Sequence, residues 1–289
     1  MKKILLLLLC LIVSAAFIGC SGNADGSVSN GTISTNKVSS IIKSSKQKTS
    51  SRLTSYAFAQ KTKVKIMPLG DSLTQGGQHK TSAYRGYLST ILKDMGHNSV
   101  FVGCHNWSYD SIKDGNWMHS GFGGATVESL SGSLDTMAEC NPDIVLLCIG
   151  RNDNTKRISA EQTVENIDTM LVERLYEMFP DVHIYLANPP PIRVSSGQES
   201  LHISDLALTQ YLPAYKQYVA DKKAEGYNID FVEMSIESTG MVWEDFTAED
   251  FVHPLPQGYE KLAKVWYAAI SDKVAEIQKE KEQIVLKGQ

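Results

Sequence analysis

Cysteine, metal-binding patterns, positive charge and long apolar runs are all in short supply in this chain. There are five cysteines and seven histidines in 289 residues. No cysteine pair has zinc-ligand spacing and the histidines form no metal motif, so neither a metal nor an organic cofactor is expected. Residues 62–289 carry 20 Lys and Arg against 31 Asp and Glu, a formal net charge of −11. A body this acidic is a poor candidate for binding nucleic acid, which depends on neutralising phosphates, and it weighs weakly against strongly anionic polymers. The longest apolar run, over 4–18, falls below the ~20 residues that span a bilayer comfortably.

That run follows Met1-Lys2-Lys3 and precedes Gly19-Cys20. A basic start, a short apolar stretch and small residues at its end make a secretory signal over 1–19. Phe17-Ile18-Gly19-Cys20 resembles a bacterial lipobox, with Phe17 in the place usually held by Leu. The resemblance implies lipidation of Cys20 and a membrane-anchored protein at the cell surface or in the periplasm. The alternative is an ordinary cleaved signal with Cys20 incidental.

Fifteen of the thirty-five residues over 21–55 are Ser or Thr. Such a segment buries too little surface to offset its chain entropy, so 20–61 is expected to be a flexible tether. Residues 62–289 suit one domain with a sizeable core. Of its cysteines, Cys148 lies in the apolar run 144–149 and is expected to be a small buried hydrophobe. A Cys104–Cys140 disulfide is open in an exported protein.

Short apolar runs over 64–69, 99–102, 144–149, 182–187 and 229–232 predict strands. Between them lie helical patterns, the clearest being Tyr84, Tyr87, Leu88, Ile91, Leu92 and Met95, closed by Gly96. Further helices are expected over 126–139, 160–178, 204–224 and 257–280, and the charged run 279–282 as a solvated helix end. Strands alternating with helices predict a mostly parallel sheet covered on both faces, with the site at the carboxyl ends of the strands.

Four short signatures follow one another in a fixed order, each at the end of an expected strand or the start of an expected helix: Gly70-Asp71-Ser72-Leu73-Thr74, Gly123-Gly124-Ala125-Thr126, Gly150-Arg151-Asn152-Asp153 and Asp250-Phe251-Val252-His253-Pro254. Together they hold the parts of an acyl-transfer site. Ser72 supplies a hydroxyl that attacks only if a base takes its proton, and His253, oriented by Asp250 three residues earlier, supplies the base. Gly124 N–H, at a helix start, and the Asn152 amide supply donors for an oxyanion. Each has a plainer use when taken alone: Ser72 as a helix cap, Asp250 and His253 in a surface turn, the glycines in a tight turn, Asn152 in an Asx-turn. Asp245 and Glu249 are rival acids for His253.

The four signatures resemble the blocks that define the SGNH hydrolases, a branch of the GDSL esterase and lipase superfamily, over residues 64 to about 270. The resemblance implies an α/β fold, a three-layer α/β/α flavodoxin-like sandwich. It also implies Ser72 as nucleophile with Asp250 and His253, and an oxyanion hole of Ser72 N–H, Gly124 and Asn152. Ile66-Met67-Pro68-Leu69-Gly70-Asp71-Ser72, Tyr84-Arg85, Phe101-Val102-Gly103 and His253-Pro254 look most like bacterial carbohydrate esterases that deacetylate xylan and related polymers. The chain departs from them at Arg151, often Thr, and Phe251, often Gly, two positions expected to border the pocket.

Trp107, Tyr109 and Trp117 lie in the long connection before Gly124, and Trp243 lies shortly before the Asp250–His253 loop. Flat rings there either stack on sugar or pack the loops against the body. Trp107, Trp117, Arg151 and Trp243 are the candidate substrate-binding residues. The expected function is an exported, lipid-anchored serine esterase that removes acetyl groups from polysaccharide or oligosaccharide, with a membrane anchor at Cys20 and no nucleic-acid partner. A lysophospholipase or thioesterase on the same fold, and an idle carbohydrate-binding lipoprotein, are the alternatives.

Overall fold

The structure, a computed structural model, describes residues 54–106, 117–193 and 210–288. Cys20, nearly all of the expected signal and tether, Trp107, Tyr109 and the start of the helix expected over 204–224 lie outside the described residues. Five strands form one parallel sheet in the order β2-β1-β4-β5-β6: β1 (Val64–Gly70), β2 (Ser99–Phe101), β4 (Ile144–Cys148), β5 (His183–Ala187) and β6 (Ile229–Val232). A two-residue strand, β3 (Ser120–Gly121), also pairs parallel with β1. The five longer strands follow the flavodoxin-like order, with β1 inside the sheet.

Pro68 sits in the middle of β1, where a missing N–H would ordinarily break a ladder. The registers explain its tolerance. Ile66 O accepts Val102 N and Gly70 O accepts Phe122 N, both on the β2 and β3 side, whereas Lys65 O accepts Asp143 N on the β4 side. Strand alternation therefore turns the Pro68 nitrogen toward β2 and β3 as well. There β2 has ended opposite Ile66 and β3 begins only at Leu69, so no ladder partner is lost.

Period-two alternation divides the apolar residues of the sheet between two cores. Met67, Leu69, Val145, Leu147, Ile184 and Leu186 pack under the helix Val127–Ser131, the helical run 160–178 and the helix Leu212–Ala224. Val64, Ile66, Ile144, Leu146 and Ala187 pack under the helices Tyr84–Asp94 and Pro256–Lys287 through Leu88, Tyr259, Leu262 and Trp266. The result is the three-layer α/β/α sandwich expected from the sequence.

Several details differ from expectation. Residues 54–61 are helical, within the stretch read as tether, and Asn98 Nδ2 donates to Ala59 O at 2.7 Å. The helix expected over 126–139 splits into Val127–Ser131 and a 3-10 turn at Leu134–Met137, around Gly132 and Ser133. The run 160–178 carries a π-helical segment, Ile167–Val172. The last helix continues to Lys287, and Lys281 is not simply solvated: its Nζ donates to Asp143 Oδ2 at 2.6 Å and to Lys63 O. Cys104, Cys140 and Cys148 are free thiols, Cys148 buried. Among the described residues no helix is long and apolar enough to cross a membrane.

Candidate active site

The sheet register brings three of the four signatures to one edge before any side chain is considered. Gly70 stands opposite Cys148 of β4 and Gly121 of β3. Ser72 is two residues beyond that level, Gly124 three, and Asn152 four. The nucleophile candidate and both oxyanion candidates therefore gather where parallel strands open.

Ser72 begins a one-turn helix, Ser72–Gln75, and is 9 % exposed. The cap is Asp71, not Ser72: Asp71 Oδ1 accepts Leu73 N at 2.9 Å, which leaves the serine hydroxyl free of the capping role. The helix's far end is held by Arg85, which is fully buried and donates through Nε to Thr74 O at 3.1 Å and through a terminal nitrogen to Gln75 O at 2.9 Å. It also donates to Trp117 O, tying the Ser72 turn to the residues just before β3.

The fourth signature arrives from the loop before the last helix. Ser72 Oγ is 2.9 Å from His253 Nε2, and His253 Nδ1 is 2.9 Å from Asp250 Oδ2 and 3.1 Å from Oδ1. A carboxylate accepts only, so Nδ1 carries the hydrogen and Nε2 presents its lone pair to the hydroxyl. Asp250 Oδ1 also accepts the backbone N–H of His253 at 2.9 Å and of Val252 at 3.1 Å. Partial burial acts to raise the Asp250 carboxyl, but these two N–H groups and the imidazole outweigh it and leave it below the usual carboxylate range. Of the rival acids, Asp245 is buried and engaged with Lys261 Nζ and Val242 N, both at 2.7 Å, and Glu249 is exposed.

Gly124 is exposed at φ +74, a conformation that disfavours a side chain, with open space where a Cβ would stand. Thr126 caps the helix that follows, accepting Ser129 N. Asn152 Nδ2 donates to Ala125 O at 2.8 Å, which fixes the amide and leaves its second N–H for a substrate oxygen. Gly150, at φ +102, lets the chain turn sharply from β4 into this position, and a Cβ there would lie 2.1 Å from Tyr215 Oη. Among the described residues no group of three or more His, Cys, Asp or Glu is placed to hold a metal ion.

The expected substrate-binding residues fare differently. Arg151 is 5 % exposed and donates to Pro190 O, so its guanidinium lies under the site. It stands close enough to Asp71 to oppose the burial that raises that carboxyl to about 6. Trp243 is half-buried with one face covered by Arg193, whose Cζ is 3.3 Å from the ring centroid; Phe251 lies beyond, 5.8 Å from the same carbon. Arg193 N donates to Phe251 O at 2.8 Å, so this stack braces the Asp250–His253 loop. Trp117 is half-buried, and its carbonyl accepts from Arg85.

Two contributors were not foreseen. Asp153, fully buried, accepts Val127 N and so joins the Asn152 element to the Gly124 element. His79 Nε2 lies 3.1 Å from His253 O. Neither position carries a periodic or spacing signal, although the first lies inside the Gly150–Asp153 signature.

Residues 69–261 match the model of the GDSL-like lipase/acylhydrolase family. The chain belongs to that family. A multidomain esterase of Ruminococcus flavefaciens is 30 % identical over 233 residues, which cover 72 % of this chain and 28 % of that protein. This GDSL-family chain therefore spans under a third of that relative's length. Among solved structures, a family 3 carbohydrate esterase of Clostridium thermocellum is 25 % identical with a TM-score of 0.59, over 75 % of this chain and 99 % of that one. A carbohydrate esterase family 3 structure from Talaromyces cellulolyticus, 19 % identical with a TM-score of 0.62, covers 74 % of this chain and 99 % of its own, and adds to the fold alone.

Proposed function

We propose that this GDSL-family protein is a serine esterase that removes acetyl groups from a polysaccharide or oligosaccharide. Ser72, His253 and Asp250 act as its triad, and Ser72 N–H, Gly124 N–H and Asn152 as its oxyanion hole. The observation that carries the reading is the unbroken path from Ser72 Oγ through both nitrogens of His253 to Asp250, at 2.9 Å on each side. The carbohydrate substrate is supported by the solved family 3 carbohydrate esterase of C. thermocellum. Acetyl is the acyl group implied by the sequence resemblance.

His253 takes the Ser72 proton as Oγ attacks the ester carbonyl, and Asp250 stabilises the imidazolium that forms. The oxyanion is met by the two backbone N–H groups and the second N–H of Asn152. Collapse expels the sugar alkoxide with the proton from His253. Water, deprotonated by the same imidazole, then attacks the acetyl-Ser72 ester and releases acetate. Export through the segment over 1–19 and anchoring at Cys20 would bring the site to polymers outside the cell.

Acetate release from acetylated xylan, together with hydrolysis of p-nitrophenyl acetate, butyrate and octanoate, tests the reading. Acetate release that Ser72→Ala abolishes, with rates falling steeply from acetate to octanoate, supports it. A preference for octanoate without release from xylan points to a lipase or thioesterase. Polysaccharide binding by wild type and Ser72→Ala alike, without hydrolysis of any ester, points to a binding protein.

A further inference from the structure

The turn that leaves the nucleophile helix is shaped to return to the catalytic loop. Gly76 and Gly77 have φ of 73° and 104°, and His79, Lys80 and Ala83 follow at 53°, 55° and 56°. Five non-glycine residues have positive φ among those described, and three of them fall in this one turn. Backbone held this way persists only where its surroundings over-determine it, and such sites concentrate at functional positions. Here Gly77 N donates to Thr81 O at 2.8 Å, and Thr81 and Ser82 are buried.

The outcome of the turn is the placement of one side chain. His79 Nε2 lies 3.1 Å from the carbonyl oxygen of His253, and 3.6 Å from Asp250 Oδ2. A carbonyl only accepts, so Nε2 carries the hydrogen. Asp250 therefore stands between two imidazoles, with His253 Nδ1 at 2.9 Å and His79 Nε2 on its flank. Ser72 and His79 are seven residues apart on one fixed segment, whereas the base comes from a loop nearly two hundred residues later.

We propose that His79 is a positioning residue of this site: its Nε2–H holds the carbonyl of His253 and so sets where the base stands relative to Ser72. The inference rests on the triad reading. One segment then fixes both ends of the Ser72–His253 hydrogen bond, the nucleophile directly and the base through its own peptide group. A misplacement of about 1 Å between reacting groups costs on the order of a hundredfold in rate, so the effect belongs in kcat.

The test is steady-state hydrolysis of p-nitrophenyl acetate by wild type, His79→Ala, His79→Gln and Ser72→Ala. Rates are expressed per active site, counted by covalent labelling of Ser72 with a serine-directed phosphonate and mass spectrometry, so that misfolded protein does not count. The Gln amide keeps an N–H donor that reaches the same carbonyl. His79→Ala is expected to lower kcat about 10- to 100-fold with KM within about twofold, and His79→Gln to recover to within about threefold of wild type. Wild-type kcat per labelled site in His79→Ala, or a His79→Gln no better than His79→Ala, overturns the assignment. Activity that survives Ser72→Ala overturns the triad reading itself, and the role of His79 with it.

Discussion

Asp153 accepts the backbone N–H of Val127 with both carboxylate oxygens, at 3.1 and 3.3 Å, and so joins the turn after β4 to the helix that follows Gly124. Gly124 and Asn152, two of the three proposed oxyanion donors, come from chain segments 28 positions apart, and this buried contact joins them. Asp153→Ala is expected to leave Ser72 and His253 paired but let the Gly124 and Asn152 elements drift. An orphaned buried N–H adds a stability loss of about 1–3 kcal/mol. The expected result is a 10- to 100-fold fall in kcat with a lowered Tm. Unchanged kcat would show that the contact serves folding alone.

Asn152 is anchored by one N–H to Ala125 O, so its other N–H is pre-aimed. Asn152→Ala is expected to reduce kcat by roughly a hundred- to a thousandfold with little change in KM, because the donor acts on the developing oxyanion. A change confined to KM would instead make Asn152 a ground-state substrate contact.

Asp71 gives a pH dependence of definite sign. Burial first, opposed by Leu73 N–H and Arg151, raises its carboxyl to about 6 from 3.8. A folded-state value above the unfolded one favours the protonated folded protein. The contribution is thus fully present below about pH 4 and lost as pH rises through about 6. Wild type should lose up to about 3 kcal/mol relative to Asp71→Asn between those limits. Denaturant unfolding of both proteins at pH 4 and pH 7 measures it. A stability difference independent of pH would contradict the assignment.

Gly150→Ala places a Cβ 2.1 Å from Tyr215 Oη at a left-handed φ. Overpacking and backbone strain together should cost about 3 kcal/mol or more. Thermal unfolding checks it, and a Tm within a degree of wild type would mean that Tyr215 moves freely.

The strands at β1, β4, β5 and β6 were legible because each is a compact apolar run, and the helix Tyr84–Asp94 because its apolar residues recur at helical spacing. The strand β3 was not, since Ser120–Gly121 has no apolar run and pairs only because β2 stops short on the same side of β1. At the site, the signatures pointed to Ser72, Gly124, Asn152, Asp250 and His253 as candidates, and strand ends placed Ser72 and Asn152 at one edge; the approach of Asp250 and His253 to Ser72 comes from a loop that no strand end marks. The burial of Arg151 was not, because a helix start does not reveal which side chain turns beneath it. The Arg193–Trp243 stack and the His79 contact join residues 50 and 174 positions apart, and no local pattern encodes either.

Ser72 is proposed to carry the acyl group during turnover, and the most direct measurement is to trap it there. The protein is mixed with excess p-nitrophenyl acetate, quenched in acid during turnover, digested and read by mass spectrometry. One acetyl group on the peptide containing Ser72, absent from Ser72→Ala, is the predicted result. Turnover with acetyl on another residue, or turnover that persists in Ser72→Ala, would contradict it.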